Sequence, residues 1–311
     1  MEALVLNPGS APLSRNIEDY PEGIIIPINK PYRWTSADVI RKIKYTAIRH
    51  FGKKNLKVGH AGTLDPLATG VLLVCIGKAT KLAEELQSHD KEYIAGVTFG
   101  ATTPSYDLEK EIDRFFPHEH ISAEAVQNAL PAFIGEQDQI APLFSAKSVD
   151  GVRAYDLARK LYKESSNSNF DAAAESLIRI AKINITELEL KEFCHPDNTI
   201  STACIEDMPP TARGSSNGQS PAAGGFGTSV ESANASSRIN VTDNSCLGLP
   251  RAVIRMACSK GTYVRAFARD LGEALKTGAH LDSLQRSRSG DFRVENALTV
   301  EKAIELLSTV N

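Results

Sequence analysis

The stretch Gly59-His60-Ala61-Gly62-Thr63-Leu64-Asp65-Pro66-Leu67-Ala68-Thr69-Gly70 holds the residues of this chain best suited to chemistry. Three glycines, an Asp-Pro step and a Thr-Gly stop describe a tightly shaped loop whose backbone can come close to a ligand. The loop presents one carboxylate, Asp65, and one imidazole, His60. Taken singly, each has a plain structural explanation. Asp-Pro starts turns, and a lone histidine more often packs or sits on the surface than binds a ligand. It is the density of shaped positions around a single acid that marks a site.

The charges around that acid are unevenly spread. The net charge is -3, yet the stretch from Pro196 to Pro250 alone carries Asp197, Glu206, Asp207, Glu231 and Asp243 against Arg213 and Arg238, which leaves the remainder neutral. Within that remainder, Arg41 to Lys57 holds Arg41, Lys42, Lys44, Arg49, Lys53, Lys54 and Lys57 with no acid. Arg251 to Arg269 holds Arg251, Arg255, Lys260, Arg265 and Arg269, again with no acid. Local clustering, not net charge, sets the field that a phosphate backbone feels. On charge alone, two solvated basic faces would account for both segments.

Further ordered motifs flank the loop. Upstream lies Asn29-Lys30-Pro31, followed by Thr35-Ser36. Downstream come Lys91-Glu92-Tyr93 and Gly100-Ala101-Thr102-Thr103 with Asp107. Farther along are Cys258-Ser259-Lys260-Gly261-Thr262-Tyr263-Val264-Arg265, Asp270-Leu271-Gly272, Gly278-Ala279-His280-Leu281 and Leu284-Gln285-Arg286-Ser287-Arg288-Ser289-Gly290. Together these resemble the TruB family of tRNA pseudouridine synthases over about residues 23 to 305. The loop matches that family's G-H-x-G-x-L-D-P-x-A-T-G motif, and the later segments match its K-x-Y, S-K-G-T-Y-[IV]-R and G-A-x-x-x-x-L-x-R. Two departures stand out. Ala141 and Phe144 replace a proline and a tyrosine in a segment that usually reads P-P-x-Y-S-A, and the chain stops at Asn311, where the family usually continues into a C-terminal PUA RNA-binding domain.

The resemblance implies conversion of uridine 55 in the tRNA T-loop to pseudouridine. That reaction breaks the N1–C1′ bond, turns the uracil and joins its C5 to C1′. The sugar carbon becomes oxocarbenium-like, so one carboxylate beside it can trap or stabilise it, as in retaining glycosidases. The resemblance gives Asp65 the catalytic role, as nucleophile, and direct attack on C1′ and removal of a sugar proton both remain open. It pairs Arg265 with Asp65 and makes Tyr93 a stacking platform or a proton acceptor. Because the target base must be extruded into a pocket, it also implies that Tyr263 packs near the flipped base, that Leu284 closes the wall and that His60 props the vacated space. Lys30 and Lys260 complete the substrate-binding set. No cofactor or metal is implied. The basic segment Arg41 to Lys57 leads into the loop, so its charge is expected beside the pocket, gripping the RNA stem. A tRNA-folding helper without turnover is the alternative; a guide-RNA-dependent synthase is disfavoured by the expected absence of the C-terminal domain.

The elements that must position these residues follow from periodicity. Strands are expected from Gly23 to Ile28, Val71 to Ile76, Tyr93 to Phe99, Leu177 to Leu190 and Val253 to Cys258. Helices are expected from Thr35 or Ser36 to about His50, about Thr80 to Ser88, Ala123 to Ile134, Val152 to Tyr162 and Tyr263 to Leu275. Without a regular βαβ repeat, the fold class is α+β; the resemblance specifies a mixed, largely antiparallel sheet flanked by helices. Residues 1–22 are expected as a loose lead-in, and residues 23–311 as one catalytic domain interrupted by a disordered Ser/Gly/Pro-rich insertion at 196–248. Five scattered cysteines, no apolar run near 18 residues and no signal-peptide pattern point to a cytoplasmic protein. A monomer that binds tRNA, no membrane and no obligate protein partner is expected.

Overall fold

The computed structural model describes residues 2–142, 148–149, 152–153, 180–195, 239 and 241–308. In chain order its strands and helices are β1 (Leu4–Val5), β2 (Ile24–Lys30), α1 (Ser36–Phe51), β3 (Val58–Ala61), β4 (Ala68–Ile76), α2 (Ala83–Ser88), β5 (Lys91–Phe99), β6 (Ala101–Thr102), β7 (Arg114–Phe115), α3 (Ala123–Ala129) and β8 (Gly135–Ile140), and then β9 (Ser148–Val149), β10 (Val152–Arg153), β11 (Ile180–Cys194), β12 (Arg251–Cys258), α4 (Val264–Ala274), β13 (Ala279–Ser289), β14 (Phe292–Arg293) and α5 (Val300–Leu306). The main sheet runs β1-β2-β4-β13-β5-β12-β11-β8, with β3 also on β4 and β14 on β13. Among its described strands, only β1/β2 and β4/β13 are parallel pairs. This is the mixed, largely antiparallel α+β architecture expected.

Strand β4 shows why the run Val71–Ile76 carries no alternation. Leu72, Val74 and Ile76 face the large core cluster, while Val71, Leu73 and Cys75 face a second one. A strand covered on both faces needs apolar residues at every position. One edge of β4 pairs with β2 along its length. The other edge is shared: β3 pairs with residues 73–76, and β13 with residues 68–70. The loop between β3 and β4 therefore springs out where one neighbour leaves and another arrives. At Gly70, where β13 crosses, φ is +100° and a Cβ would lie 2.2 Å from the Arg286 carbonyl oxygen, so only glycine fits.

Helix α1 begins at Thr35, which caps it through a reciprocal pair with Asp38, and ends on left-handed Gly52. It packs on β3 and α5, and α4 packs on β13 and β5. The helix expected to reach Ile134 stops at Ala129. Pro131 turns the remainder into a 3₁₀ segment.

Several expectations are corrected. Residues 2–22 are not the loose lead-in expected of 1–22: β1 pairs with β2, Leu6 and Leu13 are buried, and the Leu13 amide donates to the Leu306 carbonyl. Their anchors are irregularly spaced, which leaves no periodicity to read. Residues 241–248, assigned by composition to the insertion, contact the core; the Thr242 amide donates to the Leu108 carbonyl at 2.9 Å. Val152–Arg153 form a strand with Ser148–Val149 instead of starting a helix; the rest of that expected helix, Phe144 and residues 196–238 lie outside the described residues. No helix among the described residues is long and apolar enough to cross a membrane.

Candidate active site

Asp65 sits in the turn between β3 and β4, its own carbonyl accepting from the Ala68 amide at 3.1 Å. The turn is held by side chains rather than by a ladder. From the start of α1, Ser36 Oγ donates to the Leu64 carbonyl (3.2 Å) and accepts from its amide (3.0 Å). From β2, Lys30 Nζ donates to the carbonyls of Pro31 (2.9 Å), Trp34 (2.6 Å) and Pro66 (3.2 Å). From β13, Arg286 donates to the carbonyls of Val71 (2.7 Å), Gly62 (3.0 Å) and Thr63 (3.4 Å). Val71 lies in the gap between the β3 and β13 ladders, so a guanidinium takes over where backbone pairing lapses.

The carboxylate of Asp65 meets Arg265 from the first turn of α4, Nε to Oδ2 at 2.8 Å. Arg265 is buried, reaches the Ser105 carbonyl at 3.1 Å and lies 3.7 Å from Asp107. Burial alone would pull the Arg265 guanidinium down, but Asp65 and Asp107 outweigh it and hold it above its ordinary value. Burial raises the Asp107 carboxyl, and Arg265, the Ser105 hydroxyl and the Glu109 amide offset only part of that. Asp65 is the more exposed carboxylate of the pair, with 36% of its side chain accessible against 10% for Asp107. A reacting atom can therefore approach Asp65, whereas Asp107 is a buried counter-ion.

Asp65, Asp107 and Arg265 line a small cleft with Leu67, Leu281 and Leu284. Leu284 thus forms part of the cleft wall. Tyr93 lies on β5, paired with Arg286 across the ladder, and is nearly buried. Burial pushes its phenol up; the adjacent Arg286 guanidinium opposes this without cancelling it, so Tyr93 stays protonated at neutral pH. Tyr263 caps the start of α4, and its backbone is clamped at both ends by the buried Gln139 of β8: amide to Oε1 at 2.8 Å, Nε2 to carbonyl at 3.1 Å. His60 is half-buried on β3, with Nδ1 buried and lacking a hydrogen-bond partner among the described residues. Burial, with Arg286 nearby, lowers its pKa, which favours the neutral ring.

Two expected substrate contacts fall elsewhere. Lys30 is fully buried and spends its ammonium on three carbonyls, so it braces the turn instead of touching a ligand. Burial drags it down to about 7, against the pull of Asp65. Lys260 is exposed in the turn after β12 and does not line the cleft. The basic segment also departs from expectation. Ser36 at the start of α1 meets the loop, while the helix's 16 residues span about 24 Å to its far end. Lys44, Lys54 and Lys57 line a separate open groove with Asn55, Leu56 and Thr80, and Lys53 pairs with Glu18.

Arg286, Asp107 and Gln139 were not singled out as site residues from sequence. The first two lie inside recognised motifs, and an arginine among short side chains on one strand is the signal that could have found Arg286. Nothing local distinguishes Gln139. Among the described residues no group of three or more His, Cys, Asp or Glu could hold a metal ion.

The family model for "TruB family pseudouridylate synthase (N terminal domain)" matches residues 49–208. A protein named tRNA pseudouridine synthase B from Phocaeicola vulgatus is 45% identical over 289 residues, covering 93% of this chain and 95% of that one. One of the same name from Bacteroides fragilis is 42% identical over 287 residues, covering 92% and 95%. Among solved structures, a chain of a Cbf5-Nop10-Gar1 complex superposes with a TM-score of 0.52 at 21% identity, covering 97% of this chain and 60% of that one. At that identity the likeness is one of fold.

Proposed function

The chain belongs to the TruB family of pseudouridylate synthases, and from that premise we propose that it isomerises uridine 55 in the T-loop of tRNA. The observation that carries the reading is the Asp65–Arg265 pair at 2.8 Å in the cleft. Asp65 faces the sugar. As the N1–C1′ bond breaks, its carboxylate stabilises or traps the electron-poor carbon, and the released uracil turns so that C5 takes the place of N1. The C5 proton leaves and N1 gains one, so no atom is lost overall. Arg265 fixes the carboxylate by a charge-assisted bond and is itself anchored by Asp107 and the Ser105 carbonyl. Tyr93, held as a phenol beside Arg286, stacks on the turned base or passes on a proton as a hydroxyl, not as a phenolate. Leu284 closes the wall, Tyr263 packs near the base on a backbone fixed by Gln139, and the neutral His60 ring props the space the base leaves.

The protein acts on the T-arm through a single catalytic unit, with its N-terminal segment packed into the sheet, as a cytoplasmic monomer without an obligate protein partner. No cofactor is called for, because the isomerisation is redox-neutral and one carboxylate suffices.

Asp65→Asn tests the reading. Pseudouridine formation in a T-arm RNA should fall below about one per cent of wild type, since loss of a covalent or electrostatic catalyst costs orders of magnitude. Affinity for the RNA should hardly change. The fold should survive, because Asp107 remains to neutralise Arg265. Turnover near wild type would remove Asp65 from the mechanism.

A further inference from the structure

Arg33 stands out by its backbone. Its φ is +63°, a left-handed conformation that is unusual for a residue with a branched-out, bulky side chain. Such outliers persist only where the surroundings enforce them, and they gather at functional sites. Here the enforcing contact is with the catalytic turn: the Arg33 amide donates to the Pro66 carbonyl at 3.0 Å, one residue after Asp65. The neighbouring Tyr32 feels the charges of Asp107 and Asp282, both of which line the cleft.

The guanidinium is also under-used. It donates from one terminal nitrogen to the Ile239 carbonyl at 2.7 Å, while its Nε is buried with no partner among the described residues. No carboxylate among them pairs with it. Three residues beyond Ile239, the Thr242 amide is fixed to the carbonyl of Leu108, another lining residue of the cleft. Three residues span about 10 Å at most, so, with a hydrogen bond at each end, the Arg33 head lies within about 16 Å of the Leu108 carbonyl at the cleft rim. A forked cation with spare donors at this place matches the geometry of a phosphate.

We propose that Arg33 is a substrate-positioning residue that grips a backbone phosphate next to the extruded nucleotide. The Ile239 carbonyl is the stand-in acceptor in the free protein. The proposal rests on the proposed activity on RNA, and its test separates the two.

Binding of a T-arm RNA is measured against salt for wild type, Arg33→Gly and Arg33→Lys, and pseudouridine formation by wild type is measured alongside. Glycine adopts φ +63° without strain, so Arg33→Gly should melt no lower than wild type. Its Kd should rise about tenfold, and the slope of log affinity against log salt should flatten by about 0.8, the share of one phosphate. Arg33→Lys keeps a point charge and should recover the slope but not the full affinity. With a neutral methylphosphonate at the linkage flanking the target, wild type and Arg33→Gly should bind alike. An unchanged slope and affinity in Arg33→Gly, or a deficit that persists whichever linkage is neutralised, overturns the proposal. Absence of pseudouridine with an intact Arg33 effect would instead overturn the assigned reaction.

Discussion

The two ends of α1 carry positive charge in opposite ways. At its N-terminal end, beside the catalytic turn, Lys30, Arg265 and Arg286 are buried, and each is held by carbonyls or carboxylates. From the middle of α1 to the turn beyond its far end, Lys44, Lys54 and Lys57 stand exposed along an open groove. Buried cations cannot wander, because leaving their acceptors costs their desolvation; they fix geometry. Exposed lysines pay no such penalty and hold no fixed geometry; they act through a field that salt screens. The same residue types thus serve as joints at one end and as attraction at the other.

Breaking a joint should have the larger effect. Arg286→Met keeps the volume and removes the donors, leaving the carbonyls of Gly62, Thr63 and Val71 without their partner. Each orphaned buried acceptor costs about 1–3 kcal/mol, so a loss of about 3 kcal/mol or more is expected in urea unfolding. Activity should drop with it, since the turn that presents Asp65 loosens. A midpoint equal to that of wild type would show that the turn is held by other means.

A second joint reports through pH. Lys30 is lowered to about 7 in the fold, against an ordinary 10.5. Between those values the unfolded chain holds the proton and the folded chain has released it, so stability should rise with pH across this window, by up to about 1.4 kcal/mol per pH unit. Below about 7 both states are protonated and the slope from this group vanishes. The three carbonyls at Lys30 match the three protons of an ammonium and oppose the shift. Unfolding of wild type and Lys30→Met from pH 6 to 10 should differ in slope above the onset. Parallel curves would mean that Lys30 keeps its proton throughout.

This contrast also explains what the sequence could tell. Strand β4 was legible because burial on both faces writes a continuous apolar run. Strand β13, at the centre of the sheet between β4 and β5, was not expected as a strand. It carries Asp282, Arg286 and Arg288, and bulges between Leu281 and Ser283 and between Arg286 and Arg288 break its alternation. Its polar groups find partners only in the fold: Asp282 takes Arg251 at 2.7 Å and Thr98 at 2.8 Å, and Arg286 takes the catalytic turn. In the site, Asp65, Arg265 and Leu284 could be read from motif and they converge on one cleft. The burial of Lys30 could not, since a lysine in a motif looks the same whether it braces a turn or meets a ligand.

The exposed end gives the smallest effect and the sharpest test of the contrast. Changing Lys44, Lys54 and Lys57 together to glutamine removes three exposed charges and should leave the melting temperature near wild type, as surface changes usually do. If the groove takes RNA, each phosphate it neutralises contributes about 0.7–0.9 to the salt slope, so up to about 2.7 should be lost with whole tRNA. Geometry adds a condition. The groove starts about 12 Å along α1 at Lys44 and continues past the far end of the helix at Lys54 and Lys57, so a longer stem meets more of it. A hairpin of four pairs should therefore lose less affinity in the triple variant than whole tRNA does. The rate of the chemical step at saturating protein should be the same for both RNAs, because nothing at Asp65 has moved. If the short hairpin loses as much affinity as whole tRNA, the phosphates nearest the cleft are the ones this groove meets. If neither RNA responds, these lysines are a solvated face and the phosphates are met elsewhere.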